Sequence, residues 1–222
     1  MRVPLAAAAA ALSLLAAPSQ ASTITMQTRE YTGGALGSAA AYQSLIDGLV
    51  AAPATAGYGD AAPMVFNGLN NSITMQGPSG SYAAKFTIDF AIGPGQAGTY
   101  SMQFGVDFGL GGALFVNGAA VAFSADDMWW GGSYNNAGEI LQADVTLGAG
   151  QHRVTLYGLE GCCDGTMQGR FLAPNASSYT LFGTNDGLNS AWPITDVPAP
   201  AALGVFAVGL LGLVASRRLR AA

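Results

Sequence analysis

Basic residues are scarce in this chain of 222 residues, in which eight lysines and arginines face thirteen acids and only 9% of residues are charged. Four of the eight lie near the two ends, so the middle of the chain keeps only Arg29, Lys85, Arg153 and Arg170. That middle part carries a net charge of about −9, against −5 for the whole chain. Nucleic acid and anionic lipid headgroups repel so acidic a surface, so neither is expected as a partner.

Histidine and cysteine are also rare, with one His152 and the adjacent pair Cys162 and Cys163. A closed zinc site needs about four such ligands, which disfavours zinc. Nothing local pairs His152 with a serine or cysteine nucleophile, which disfavours triad chemistry. Glycoside hydrolysis needs only two carboxylates, and the sequence leaves open whether any two converge among Asp107, Glu139, Glu160 and Asp164.

An apolar run of full transmembrane length is missing at the carboxyl end. The run there, Ala201 to Ala215, covers roughly 22 Å as a helix, whereas a hydrocarbon core is about 30 Å thick. It can span only with help from its flanks or from local thinning of the bilayer. The basic cluster Arg217, Arg218 and Arg220 favours the cytoplasmic side and places the rest of the chain across the membrane. We therefore expect a membrane anchor helix over residues 201–215.

A short Pro-rich motif, Val197-Pro198-Ala199-Pro200, precedes this run. The order of motif, apolar helix and basic cluster over residues 197–222 resembles the PEP-CTERM protein-sorting signal. The resemblance implies an exosortase-like processing enzyme as partner, in a Gram-negative bacterium that makes extracellular polysaccharide. The family usually has glutamate where this chain has Ala199. An ordinary carboxyl-terminal membrane anchor is the alternative.

The amino end has the three parts of a secretory signal peptide. Met1-Arg2 is positively charged, Leu5 to Ala17 is apolar, and Ser19-Gln20-Ala21 is a small-x-small cleavage pattern. Residues 1–21 are therefore predicted to be removed, which leaves an exported domain over residues 22–182 and a turn-rich linker over residues 183–196. Export and a carboxyl-terminal anchor are consistent with each other, because the basic residues at both ends would stay on the cytoplasmic side while the middle of the chain crosses the membrane.

Alternating apolar and polar residues dominate the exported domain and predict an all-β fold. The alternation is clearest from Phe86 to Ile92 and from Tyr100 to Phe108, where Asp107 falls on the polar side. One helix is predicted at Ala39 to Val50, and the similar pentads Thr23–Gln27 and Ser72–Gln76 are both interpreted as strands. The 31 glycines suit many tight turns. The order of elements favours an antiparallel β-sandwich with jelly-roll-like connections.

A hairpin is predicted where Ala113 to Val116 meets Asn117-Gly118, the residue pair best suited to a type I′ turn. Together with the acidic, Gly-rich stretch before it and Leu147 to Val154 after it, this segment is similar to anthrax-protective-antigen-type and fibro-slime β-sandwiches. The resemblance implies carbohydrate binding, in some members through calcium held by acidic loop residues. Adjacent paired acids are common there, whereas here Asp107 is followed by Phe108.

The segment Cys162-Cys163-Asp164-Gly165 resembles a group of PEP-CTERM proteins named for a Cys-Cys-x-Gly motif. A disulfide is expected outside the cell, although neighbouring α-carbons lie only about 3.8 Å apart, below the usual disulfide span of about 4.4–6.8 Å. A bridge between Cys162 and Cys163 would form a stiff, apolar turn able to floor a ligand pocket. A purely structural turn and disulfides to another chain are the alternatives.

Oxygen donors and aromatics are concentrated in the loop between the hairpin and the next strand. Asp126, Asp127 and Glu139 form a candidate calcium site, for which a solvated acidic loop is the alternative. Trp129, Trp130 and Tyr134, with Asn135 and Asp107 nearby, form the candidate carbohydrate site, because aromatic faces stack on sugar rings. One tryptophan of the pair is expected to plug the end of the sandwich instead.

The sequence as a whole predicts an exported, surface-sorted protein without enzymatic activity. Its partner is predicted to be extracellular polysaccharide or matrix, with no certain cofactor beyond the candidate calcium. A glycan-active hydrolase and a purely structural surface protein are the alternatives. Convergence of two carboxylates beside the tryptophans would favour the hydrolase, and a buried loop without a cleft would favour the structural protein.

Overall fold

Strands far outnumber helices in residues 22–191, which are the residues that the computed structural model describes. The helices are α1 (Ala39–Val50) and α2 (Asn71–Thr74). The strands are β1 (Thr23–Glu30), β2 (Asp60–Ala61), β3 (Asn67–Leu69), β4 (Tyr82–Ile92), β5 (Gly98–Gly105), β6 (Asp107–Phe108), β7 (Gly112–Val116), β8 (Ala119–Ser124), β9 (Met128–Trp129), β10 (Ile140–Leu147), β11 (Gly150–Glu160), β12 (Met167–Leu172) and β13 (Thr180–Leu181). The predicted all-β class is confirmed.

Two antiparallel sheets form the sandwich. The first sheet has the order β2-β1-β4-β11-β7-β8, and the second has the order β10-β5-β12-β13, with β3 also paired to β12. A separate two-stranded ribbon joins β6 to β9. The buried side chains of both sheets meet in one core rich in aromatic rings, such as Phe66, Phe86, Phe104 and Phe182.

The period-two pattern places side chains as predicted in the central strands. In β4, Phe86, Ile88 and Phe90 are buried, whereas Lys85 and Asp89 are partly exposed. A strand with one face on the core alternates in this way because successive side chains point to opposite sides of the sheet.

Helix α1 covers the outer face of the first sheet and has the predicted bounds. The side chain of Ser38 caps its first turn by accepting a hydrogen bond from the Ala41 backbone N–H at 3.2 Å. Tyr42 and Ile46 are buried in a second cluster with Ala83, Ala113, Phe115, Tyr157 and Leu159. The end of β11 is therefore covered on both faces, and all seven residues from Val154 to Glu160 are buried.

The predicted hairpin is present between β7 and β8. Asn117 and Gly118 both have positive φ angles, 51° and 81°, as a type I′ turn requires. Asn117 also accepts a hydrogen bond on Oδ1 from the Arg153 backbone N–H at 3.0 Å, which fixes the hairpin to β11.

One prediction about a chain segment is wrong. Ser72 to Thr74 lie in helix α2, not in a strand, because the Asn70 side chain caps that turn by accepting a hydrogen bond from the Ile73 N–H at 2.8 Å. In the segment predicted to start the linker, Asp186 and Leu188 are buried against the sandwich. Asn189 also pairs with Ala91 of β4.

The predicted signal peptide, sorting motif and anchor helix lie outside residues 22–191. Within that described range no helix is long and apolar enough to cross a membrane.

Candidate functional site

The two-residue ribbon of β6 and β9 brings Asp107 beside Trp129. Asp107 is directly opposite Trp129 in the ribbon, and Phe108 is opposite Met128. This ribbon leaves the second sheet after β5, so the alternation that predicted an exposed Asp107 stops at Gly105. Asp107 is instead 4% exposed, and its Oδ2 accepts a hydrogen bond from the Gly165 backbone N–H.

The two tryptophans have different environments, since Trp129 ends β9 and Trp130 follows that strand. Trp129 is 64% exposed. The Trp130 indole instead packs over Gly105, and its Nε1–H donates to the Ser133 carbonyl at 3.1 Å. Trp130 is therefore half-buried against Gly105, whereas Trp129 is the tryptophan with the larger exposed surface.

Tyr134 belongs to the Trp130 side. Its ring centroid lies 5.3 Å from that of Trp130 and 3.5 Å from the Arg170 guanidinium, which also lies over the Tyr179 ring. The Tyr134 hydroxyl donates to the Gln168 carbonyl at 3.0 Å. Burial raises the pKa of Tyr134 to about 12 although the Arg170 charge lowers it. The predicted carbohydrate site is therefore divided, with Trp129 and Asp107 in one place and Trp130 and Tyr134 in another.

Cys162 and Cys163 form a disulfide across their own peptide bond, with their α-carbons 3.8 Å apart. The turn that contains them follows β11 directly. Cys163 has a φ of 73°, and this left-handed conformation returns the chain so that the Asp164 N–H donates to the Ser79 carbonyl at 2.6 Å. The loop before β4 packs so closely on this turn that a β-carbon on Gly80 would lie 2.8 Å from the Cys162 α-carbon.

The disulfide, Asp107 and Trp129 line one pocket of about 380 Å³. Its volume falls within the range of roughly 300–1,000 Å³ that is usual for ligand pockets. We call it the disulfide pocket, and its lining residues are Asp107, Gly109, Asp127, Trp129, Gly161, Cys162 and Cys163. It combines an aromatic ring, an apolar sulfur surface and two carboxylates.

Glu160 supports this pocket from inside the protein. Its side chain is fully buried and accepts hydrogen bonds from the Gly109 N–H at 2.8 Å and the Cys162 N–H at 2.7 Å. One carboxylate therefore joins two loops that contribute to the pocket wall. Its pKa is raised to about 7, mainly by burial; the two hydrogen bonds oppose this rise, and the nearby Asp107 and Asp164 charges contribute to it.

Asp164 fixes the far side of the disulfide turn. Its carboxylate accepts hydrogen bonds from the Ser72 N–H at 3.0 Å and the Ser72 hydroxyl at 2.8 Å, both at the start of α2. The Tyr82 hydroxyl lies 3.4 Å from the same carboxylate. Burial and the Asp164, Glu160 and Asp107 charges raise the pKa of Tyr82, so this phenol stays protonated.

Sequence reasoning named Glu160 and Asp164 as possible catalytic acids, and Asp164 also as part of the Cys-Cys-x-Gly motif, but it connected neither to Ser72 or Tyr82. Their contacts join segments that are far apart in the chain, such as Ser72 with Asp164, 92 residues away. The one local signal was the position of Glu160, two residues before Cys162 in a Gly-rich turn.

The pocket has a negative electrostatic environment. Burial raises the pKa of Asp107, and the Asp127 and Asp164 charges raise it further, while the Gly165 N–H lowers it. Three of the four basic residues in the described range form ion pairs elsewhere, namely Arg29 with Asp60, Lys85 with Asp47 and Arg153 with Asp89. The fourth, Arg170, is held between tyrosine rings.

The candidate calcium ligands are not gathered together. Across residues 22–191 no three His, Cys, Asp or Glu side chains form a group that could hold a metal ion. Asp127 lines the disulfide pocket, whereas Asp126 is exposed and Glu139 ends a short 3₁₀ turn. Asn135 is exposed beside that turn. A calcium site in this loop stays a prediction.

Several solved structures are similar to this one in their backbone. No protein-family model matches the sequence, and no curated protein matches it. A PA14 sugar-binding domain from an RTX adhesin aligns with a TM-score of 0.51 and 17% identity, over 78% of this chain and 99% of that domain. The PA14 domain of the MpAFP antifreeze protein aligns with a TM-score of 0.46 and 12% identity, over 76% and 89%.

The Epithelial Adhesin 6 A domain from Candida glabrata, in complex with Galβ1-3GlcNAc, aligns with a TM-score of 0.46 and 10% identity, over 81% of this chain and 90% of that domain. The alignment with the RTX adhesin domain establishes the architecture. Residues 22–191 therefore have the β-sandwich fold of that PA14 sugar-binding domain.

Proposed function

We propose that this protein binds carbohydrate without enzymatic activity, and that the glycan sits in the disulfide pocket against the Trp129 ring. One observation carries the proposal, which is that a large aromatic side chain is 64% exposed at the mouth of a pocket that also holds polar groups. An exposed indole costs free energy in water and gains it when its apolar face covers a sugar ring. The sugar-binding RTX adhesin domain of the same fold makes carbohydrate the ligand class to test first.

The other pocket components suit the same ligand. The disulfide of Cys162 and Cys163 supplies an apolar floor, and Asp107 and Asp127 supply hydrogen-bond acceptors for sugar hydroxyls. Glu160 and Asp164 hold the surrounding loops from behind, so the pocket is formed before the ligand arrives. Preorganisation of this kind reduces the entropic cost of binding. An exposed loop with a cleft also supports binding over a purely structural role.

Substitution of Trp129 tests the proposal on a glycan array and by calorimetry. We expect the full chain to bind at least one surface polysaccharide, and Trp129→Ala to lose about ten- to a hundredfold in affinity, as for loss of a stacked ring. Met64→Ala is the matched control, because Met64 is 75% exposed and lies in a different part of the surface. Equal binding by the two variants would place the sugar elsewhere.

A glycan-active hydrolase is the second candidate, and one observation favours it. Asp107 and Asp127 both line the pocket beside Trp129, and a pair of carboxylates is what glycoside hydrolysis needs. Release of reducing ends from a bound polysaccharide, abolished by Asp127→Asn, would establish hydrolysis. Unchanged polysaccharide after long incubation supports the binder.

We further propose that the protein is exported, carried to the membrane by the helix over residues 201–215, and sorted to the cell surface by an exosortase-like enzyme. The motif Val197 to Pro200 and the arginines after the apolar run support this route. Intact mass of the protein from the surface fraction tests it, because a chain that begins at Ser22 and ends near Val197 requires both cleavages. Retention of Arg217 to Ala222 would leave a permanently anchored protein.

A further inference from the structure

The charges of the disulfide pocket indicate which sugars it selects. On the basis of the proposed function, we propose that the pocket prefers glycans that carry ammonium groups, such as the glucosamine units of a partly deacetylated polysaccharide. The ammonium would lie between the carboxylates of Asp107 and Asp127, with the sugar ring against Trp129.

The first argument is that the pocket has acids and no base. Asp107 and Asp127 line it, and none of the four basic residues in the described range does. Arg29, Lys85 and Arg153 are each ion-paired at 2.6–2.8 Å with an aspartate outside the pocket. A sugar carboxylate or sulfate would meet only like charge there, whereas an ammonium would neutralise part of it.

The second argument concerns the two side-chain oxygens of Asp107, a residue that is only 4% exposed. Oδ2 accepts the Gly165 N–H, and Oδ1 accepts no hydrogen bond within residues 22–191. No fully buried side-chain oxygen or nitrogen in that range lacks a partner. Since Asp107 lines the pocket, Oδ1 is the atom that is open to it, and this oxygen is free to accept a hydrogen bond from a ligand.

An ammonium group fits this arrangement better than an acetamide does. It offers three N–H donors and a charge, so it can satisfy Asp107 Oδ1 and reach Asp127 as well. An acetamide offers one N–H donor and a carbonyl oxygen that the carboxylates repel. The exposed Trp129 ring adds a surface that attracts cations through its π electrons.

A divalent cation is the main competing occupant of a pocket lined by acids. Metal ions of this type need several oxygen ligands at once. No group of three His, Cys, Asp or Glu side chains suited to a metal is found within residues 22–191. The ammonium requires only the two carboxylates that are present.

Titration calorimetry on the full chain tests the inference with two probes that differ only in the amine. The probes are the tetramer of β-1,4-linked glucosamine and its fully N-acetylated counterpart. We expect the glucosamine tetramer to bind at least about tenfold more tightly, which is the gain of one charge-assisted hydrogen bond. Its affinity should fall as salt is added, whereas that of the acetylated tetramer should not.

Two neutral substitutions locate the charge effect. Asp127→Asn removes a pocket acceptor for both probes but a charge partner only for the ammonium, so it should lower affinity for the glucosamine tetramer about tenfold more than for the acetylated tetramer. Asp144→Asn removes the same unit of charge from an exposed position on the second sheet and should change neither value. If Asp127→Asn and Asp144→Asn reduce the preference for the glucosamine tetramer equally, the preference reflects the overall charge of the protein, and the inference is overturned.

The remaining outcomes separate this inference from the proposed function. Equal affinity for both tetramers, with both lost in Trp129→Ala, would keep the carbohydrate site and reject the ammonium preference. Binding that disappears with a chelator and returns with calcium would also reject it, in favour of a metal. If no glycan binds and Trp129→Ala has no effect, the proposed function fails and the inference fails with it.

Discussion

The Glu160 carboxylate accepts a hydrogen bond from the backbone N–H of Cys162, only two residues further along the chain, at 2.7 Å. Its other oxygen accepts the Gly109 N–H at 2.8 Å. A single buried acid thereby holds the disulfide turn against the loop between β6 and β7. Both segments line the disulfide pocket, so the shape of the pocket depends on an ionisable group that is not itself part of the lining.

The stability of the protein should depend on pH through Glu160. Burial raises the pKa of this carboxyl to about 7, compared with 4.5 for an ordinary glutamate. The folded state therefore holds the proton more tightly than the unfolded chain does, and the free energy of unfolding falls as pH rises from about 4.5 to about 7, by on the order of 3 kcal/mol. Urea denaturation across this window measures the slope.

Glu160→Gln is the matching control, because glutamine keeps the shape and does not titrate. The variant should lose most of that slope, and the remainder belongs to Asp107 and Asp186, whose pKa values are also raised by burial. Glu160→Gln should also be less stable than wild type at low pH, by about 1–3 kcal/mol. Both Glu160 oxygens accept a backbone N–H, and the NH₂ group of glutamine cannot accept one. An unchanged slope in Glu160→Gln would exclude Glu160 as its source.

The disulfide should matter more for binding than for folding. A bridge between Cys162 and Cys163 closes a loop with no intervening residue, so it removes little entropy from the unfolded chain. We expect reduction to change the free energy of unfolding by less than about 1 kcal/mol and to weaken glycan affinity several-fold, because the pocket loses its rigid floor.

Urea denaturation and calorimetry with and without a phosphine reductant measure both effects. The double variant Cys162→Ser, Cys163→Ser should respond to the reductant in neither assay. Unfolding of the wild-type chain on reduction, or unchanged glycan affinity, would contradict the assigned role. Free thiols detected before reduction would contradict the bridge itself.

Gly105 should be intolerant of a side chain because the Trp130 indole occupies the space beside its α-carbon. A β-carbon at Gly105 would overlap the ring, so Gly105→Ala must displace it and weaken its hydrogen bond to the Ser133 carbonyl. We expect a loss of about 1–3 kcal/mol in urea denaturation, together with a shift in tryptophan fluorescence. Gly131→Ala, which has open space around it, is the control and should stay within about 0.5 kcal/mol of wild type. Equal stability of the two variants would show that Trp130 is loosely packed.

The sequence predicted those features that depend on neighbouring residues. Helix α1 follows from its apolar spacing, and the turn at Asn117-Gly118 follows from two residues that accept positive φ. The alternation in β4 likewise identified the face that meets the core. Local chemistry is sufficient at these places because tertiary contacts favour the same conformation.

The disulfide pocket could be predicted only in part, because its contacts join distant segments. Asp107 is bonded to Gly165, 58 residues away, and no local pattern indicates such a pair. The pentads that begin at Thr23 and Ser72 are nearly identical, yet the first pairs with β4 and the second forms helix α2. Their surroundings differ: the first pentad pairs along β4, whereas the second follows Asn70, whose side chain caps a helical turn.

The carboxyl-terminal boundary of the domain should depend on Asp186. Its carboxylate accepts hydrogen bonds from the Ser22 hydroxyl at 2.6 Å, the Gly183 N–H at 3.1 Å and the Leu188 N–H at 3.0 Å, so it joins the first described residue to the segment after β13. In Asp186→Asn, an NH₂ group must face at least one of these donors. We expect a loss of about 1–3 kcal/mol in the free energy of unfolding.

Asp144→Asn is the control for this loss, because Asp144 is exposed and the substitution removes the same charge. It should stay within about 0.5 kcal/mol of wild type, as surface substitutions usually do. Urea denaturation of both variants at neutral pH gives the comparison. A large difference means that residues 183–191 contribute to the stability of the sandwich, as the burial of Leu188 requires. Equal stability of Asp186→Asn and Asp144→Asn would indicate that residues 183–191 are a linker and that the domain ends near Phe182.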